Sequence, residues 1–262
     1  MDWAMRALLL ALLPLPLLAG SPDHVVSLEV LPGWRVEEGR HLAGLRLSLA
    51  PGWKTYWRAP GVAGLAPLLD FSASRGVASA ELDWPVPEIF YQGDYRSIGY
   101  RGEVTIPVEL AVDDGPVLFS GTMDIGVCEE VCVPVTLSFS AELPAEGRRD
   151  PAIAAALVDR PLTPEEAGAR ATCAVAPGAE GLALTVRIDL ASLGGEEAVV
   201  VETADPGLWV SEATSRREGG TLVATAEALA LGGAPLALDP SSLRITVLGG
   251  GQAVDIRGCA PG

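Results

Sequence analysis

Histidine is almost missing from this chain: among 262 residues there are two, His24 and His41. Both lie far in sequence from the cysteines, and neither sits in a motif, so a zinc centre of mixed Cys/His ligands finds no support. No GxSxG, no HExxH and no glycine-rich phosphate loop after a strand is present, which removes the hydrolase and kinase readings. Basic residues are scarce as well, 18 against 34 acidic ones, giving a net charge of -16. Such a surface repels nucleic acid and anionic lipid, and proteins remain the expected partners. Acidity also keeps an exported chain in solution. Beyond the first twenty residues no apolar run is long enough to span a bilayer. Helical periodicity is missing through the first half.

What the leader does have is Arg6, an apolar run over 7–18 and Ala19-Gly20 before Ser21, the pattern of a secretory signal. Its apolar run falls short of the roughly twenty residues a membrane span needs, and no cysteine follows Gly20 to take a lipid. The expectation is therefore a cleaved signal peptide (1–20) and a periplasmic mature chain, long enough for two cores.

Alternating apolar patterns predict strands over 25–30, 42–49, 68–71, 77–82, 104–112, 117–125 and 133–139, with turns at Pro51-Gly52 and Pro60-Gly61. Short strands at this spacing predict an immunoglobulin-like β-sandwich over 21–145. Between 146 and 170 the character changes. Pro151–Val158 is alanine-rich, and Thr163-Pro164-Glu165-Glu166 has the order of a capping box opening a short helix. β-patterning resumes over 171–262 in about seven segments, so the reading is all-β: two sandwich domains joined by a short helical linker.

Four cysteines in an exported chain can form two disulfides, and spacing suggests Cys128–Cys132 and Cys173–Cys259. The second closes a long loop and is expected to be structural, worth about 4–5 kcal/mol by chain entropy. The first lies between two strand-like runs in Gly126-Val127-Cys128-Glu129-Glu130-Val131-Cys132-Val133-Pro134. Extended, its cysteines would stand roughly 13 Å apart, so Glu129-Glu130-Val131 must fold back for the sulfurs to bond. A bridge over so short a loop removes little unfolded-state entropy, which favours redox use over a structural role. Glu129 and Glu130 oppose thiolate formation, which fits a reductant or electron relay better than a strong oxidant. Two competing uses of the same residues are a Cu(I) site, with Met123 joining Cys128 and Cys132, and a bridge in a non-catalytic interaction module.

Aromatic residues cluster twice. Glu88-Ile89-Phe90-Tyr91-Gln92-Gly93 follows Trp84-Pro85-Val86-Pro87 and is expected to be a loop, with Phe90 and Tyr91 either buried in the core or covering a reactive site. Trp53, Tyr56 and Trp57 are expected to pack a strand.

Taken together, PGWKTYWRAPG (51–61), WPVPEIFY (84–91) with Tyr95-Arg96, and VCEEVCVP (127–134) resemble the amino-terminal periplasmic domain of the thiol:disulfide interchange protein DsbD and the related copper-sensitivity suppressor proteins. The resemblance covers about residues 25–142. It implies an immunoglobulin-like domain whose cysteine pair, without any cofactor, takes electrons from a membrane-embedded donor and passes them to periplasmic thioredoxin-like proteins. It also implies that Cys132 meets the partner while Cys128 resolves, and that Glu88, Phe90 and Tyr91 belong to a cap loop over the pair. The electron donor is expected to be a separate membrane protein, and the chain itself a monomer. Copper tolerance is the alternative role that the same resemblance carries.

Overall fold

The computed structural model describes residues 25–93, 95–232 and 237–262. The leader expected at 1–20 lies outside the described residues. Among the described residues the first domain has ten strands: β1 (Val26–Glu37), β2 (Arg40–Leu49), β3 (Lys54–Tyr56), β4 (Leu68–Asp70), β5 (Val77–Leu82), β6 (Glu88–Gln92), β7 (Tyr95–Arg101), β8 (Glu103–Val112), β9 (Val117–Cys128) and β10 (Cys132–Leu143). One sheet runs β1-β2-β8-β5, the other β10-β9-β3-β7-β6 with β4 also on β9. The apolar residues alternate so that Leu45, Leu47, Ile106, Val108 and Leu110 of the first sheet meet Phe119, Met123, Ile125 and Val127 of the second in one core. Burying each such side chain contributes about 1.5–3 kcal/mol, which pins the register of strands with one face inward. The all-β, immunoglobulin-like architecture is as the patterning predicts.

The segment expected as an aromatic loop is instead a hairpin, β6 paired with β7 and turning at Gly93. Pro85 and Pro87 precede β6 rather than interrupt it, and β6 lies at the sheet edge, where a strand needs a ladder partner on one side only.

In the linker, α1 (Pro151–Val158) starts at Asp150, whose side chain accepts from the Ala152 backbone N–H. Its Ile153 packs with Leu31 and Leu42 on the outer face of the first sheet. Gly44 permits this approach, since a Cβ there would stand 2.9 Å from Ile153 Cγ1. The capping box forms on α2 (Pro164–Ala167): Glu166 N–H donates to Thr163 Oγ1 at 3.2 Å, and Thr163 N–H to Glu166 Oε2 at 2.8 Å.

The second domain holds β11 (Arg170–Pro177), β12 (Leu182–Asp189), β13 (Ala198–Thr203), β14 (Leu208–Val210), β15 (Thr214–Glu218), β16 (Thr221–Ala230), β17 (Leu243–Gly249), β18 (Gln252–Arg257) and β19 (Ala260–Pro261). They form a sheet β14-β16-β12-β11-β19, with β15 also on β16, facing a sheet β13-β17-β18. The polar β15 and the two-residue β19 are additions to the expected seven strands. Cys173 of β11 is bonded to Cys259, with Cα atoms 5.7 Å apart. The two domains touch. Ala198, Leu248 and Ala253 of the second join the core cluster of the first, and the linker bonds both, Val86 N–H to Asp159 C=O on one side and Leu162 with Ala253 and Asp255 on the other.

Candidate redox site

β9 and β10 form a hairpin in which Cys128 and Cys132 stand directly opposite one another. Glu129, Glu130 and Val131 make the turn, and the bonded cysteines have Cα atoms 4.1 Å apart. The two sulfurs differ in setting. Cys128 is wholly buried, whereas Cys132 is exposed, flanked by exposed Val131 and Val133.

Strand register decides which residues surround the pair. Cys128 is the cross-strand partner of Lys54, Lys54 of Arg101, Tyr56 of Gly99, and Phe90 of Ser97. Because side chains alternate, Cys128, Lys54, Tyr56, Arg101, Ser97 and Phe90 share one face of the sheet, and Met123, Ile125 and Val127 share the other, which is the core. The copper set of Cys128, Cys132 and Met123 is therefore not assembled: Met123 is five residues from Cys128 on a strand and is buried on the opposite face. A Cu(I) ion at the pair would have the two sulfurs without the thioether. Among the described residues there is no group of three or more His, Cys, Asp or Glu arranged to hold a metal ion.

The side chain at the sulfurs is Tyr56. Its hydroxyl lies 2.9 Å from Cys128 Sγ and 3.1 Å from Cys132 Sγ, and 3.2 Å from the Ala63 carbonyl, which accepts from it. Burial pushes the phenol's pKa up, so it stays protonated and available as a donor. The ring packs against Gly126. A Cβ on Gly126 would come within 2.8 Å of Tyr56 Cε2 and 3.2 Å of Leu65 Cβ, so glycine here leaves the slot that ring and loop fill. The loop 57–67, which runs on from β3, thus covers Tyr56 and, through it, Cys128. The sequence reading gives Tyr56 a packing role alone. It is 2% exposed and does pack, and its hydroxyl also reaches both sulfurs.

Two cations lie on this face. The Lys54 ammonium is buried, 3.5 Å from Ser97 Oγ, and burial followed by the charge of Arg101 lowers its pKa. Together they enclose the Phe90 ring, Lys54 Nζ at 5.1 Å and Arg101 Cζ at 4.4 Å from its centroid. Phe90 is 3% exposed, yet it lies on the face away from the core, and β3 and β7 separate its strand from β9. The three residues expected in one cap loop diverge. Glu88 is exposed, Phe90 faces the site side, and Tyr91 points the other way, its hydroxyl donating to Glu196 Oε1 of the second domain at 2.6 Å. No sequence pattern places Lys54 and Arg101 together on this face, and β7, which holds Arg101, is not among the expected strands.

Residues 27–144 match the family described as thiol:disulfide interchange protein DsbD, N-terminal. Among solved structures, the crystal structure of the N-terminal periplasmic domain of ScsB from Proteus mirabilis aligns with a TM-score of 0.66 at 23% identity, over 93% of this chain and 97% of that one. No curated protein sequence matches the chain significantly. The match to the DsbD N-terminal family thus falls on the first immunoglobulin-like sandwich, whose boundaries coincide with it and whose β9–β10 hairpin carries the cross-strand cysteine pair, and the chain as a whole shares its fold with the ScsB domain.

Proposed function

We propose that this chain is a periplasmic thiol–disulfide exchange protein that relays electrons through Cys128 and Cys132 from a membrane-embedded donor to thioredoxin-like partners. The observation that carries the reading is the asymmetry of the pair: an exposed Cys132 bonded to a Cys128 buried under Tyr56, within a DsbD N-terminal domain. In the reduced protein the Cys132 thiolate attacks a partner's disulfide, forming a mixed S–S bond and expelling the partner's second sulfur as a thiolate. Cys128, deprotonated in its turn, attacks Cys132 Sγ; the Cys128–Cys132 bond re-forms and the partner's remaining sulfur leaves. The partner gains two electrons and two protons, and the pair is oxidised. A donor dithiol reverses this and restores the two thiols.

Tyr56 supports both directions, because a phenol hydrogen bond stabilises sulfur that carries charge more than sulfur in a disulfide. Among the described residues no helix is long and apolar enough to cross a membrane. With Cys128→Ser, Cys132 attacks but the mixed disulfide cannot be resolved. The variant expressed in cells is expected to accumulate a dithiothreitol-sensitive adduct with a thioredoxin-like protein. The absence of any adduct with Cys128→Ser, alongside none with wild type, would reject exchange through Cys132.

A further inference from the structure

The second domain grips the first at the loop that covers Tyr56 and Cys128. Arg58 follows Tyr56 by two residues, and its side chain is 11% exposed, with the guanidinium 3.8 Å above the Trp57 ring. Nε and Nη2 donate to Glu202 at 3.2 and 2.9 Å, Nη2 also to Thr246 Oγ1 at 3.0 Å, and Asp255 Oδ1 lies 3.6 Å away. Glu202, Thr246 and Asp255 stand on β13, β17 and β18, one from each strand of a single sheet. Arg244 bonds Asp255 at 2.8 Å, so two guanidiniums and two carboxylates close a neutral cluster between the domains. Burial opposes the charge on Arg58, and the Glu202 carboxylate beside it counters that cost.

From this cluster the chain runs directly into the cover. The Pro60 carbonyl accepts from Ile98 N–H at 3.0 Å, the Ala63 carbonyl accepts from the Tyr56 hydroxyl, and Leu65 rests against Gly126. A second hold acts on the β6–β7 hairpin, where Arg96 bonds Glu212 at 2.8 Å. We propose that the second domain sets the reactivity of the Cys128–Cys132 pair, with Arg58 as a positioning residue that fixes the 57–67 loop, and through it Tyr56, over Cys128. The inference rests on reading the pair as an exchange site. It gives the second domain a task at that site although it lies beyond the residues that match the DsbD family.

The test is the rate at which dithiothreitol reduces the Cys128–Cys132 disulfide in the full chain. Each dithiothreitol gives two electrons, yielding two protein thiols and cyclic oxidised reagent. Glu202→Gln and Arg58→Gln are expected to raise the rate about five- to tenfold by loosening the loop, with Arg58→Lys falling between them and wild type. Leu184→Val, a truncation in the core of the second domain on β12 of the sheet facing the one that carries the cluster, destabilises that domain and is expected to leave the rate unchanged. Should Arg58→Gln fail to fold, Glu202→Gln decides. A rate within about twofold of wild type in folded Glu202→Gln, or an equal rise in Leu184→Val, overturns the proposal. The exchange reading is judged separately by mixed-disulfide trapping. An unchanged rate with trapping intact rejects the clamp alone, and a raised rate without trapping rejects exchange and keeps the clamp.

Discussion

Replacing Tyr56 with Phe removes one hydroxyl and keeps the ring, so the change isolates a single donor. In the disulfide form that donor is shared between the Ala63 carbonyl and two weak sulfur acceptors. Once the bond opens and a thiolate forms, the sulfur becomes the stronger acceptor. A hydrogen bond to a charged group contributes about 1.5–3 kcal/mol, against about 0.5–1.5 kcal/mol for a neutral one. The differential, about 1–1.5 kcal/mol, corresponds to about one pKa unit at about 1.4 kcal/mol per unit. Tyr56→Phe is therefore expected to raise the apparent pKa of the reactive thiol by about one unit. The assay is the pH dependence of iodoacetamide alkylation of the reduced protein, where the variant should react about tenfold more slowly at any pH below both pKa values. An identical pH profile for wild type and variant would refute the reasoning and leave Tyr56 as a packing residue.

Phe90→Ala is expected to leave reduction of the disulfide by dithiothreitol unchanged while costing about 3–5 kcal/mol in urea unfolding, because β3 and β7 separate its strand from β9 and the ring is buried against Lys54 and Arg101; faster reduction with stability retained would make Phe90 a lid over the pair. Replacing Cys173 and Cys259 together with serine should lower the stability of the second domain by about 4–5 kcal/mol while exchange at Cys128 and Cys132 persists; loss of exchange in a folded variant would place that bridge in the electron path. The Glu166 carboxyl is held down to about 2, first by its hydrogen bond with Arg160 and then by the Thr163 backbone. Its folded pKa lies below the unfolded value of about 4.3, so its contribution is present above that value and fades as pH falls toward about 2. An NMR titration should show Arg160→Gln moving this carboxyl up toward 4.3, and an unmoved midpoint would assign the shift to the capping box alone.

Strands that form the sandwich core were legible because one face is apolar throughout: Leu45 and Leu47 alternate with Arg46 and Ser48, and Phe119, Met123, Ile125 and Val127 carry the inner face of β9. The elements around the cysteines were harder to read for a physical reason. β3 has three residues, too few for a period to show, and it is buried on both sides because loop 57–67 covers its outer face. β6 carries Ile89 toward the core and buries Phe90 on the opposite side against cations, which erases alternation. Cys128 and Cys132 stand out in sequence as a close pair, whereas Tyr56 is 72 residues from Cys128 and meets it only through the β3–β9 pairing. The Arg58 cluster spans more chain still, 144 residues to Glu202, and no local pattern marks either end.

The central claim is that the Cys128–Cys132 bond opens and closes in function, and its equilibrium reduction potential tests this most directly. Equilibration of the full chain against defined dithiothreitol ratios, with free thiols counted at Cys128 and Cys132, is expected to give a value above about -300 mV, within reach of periplasmic thiol partners. A potential well below that, which typifies structural bridges, would contradict the account.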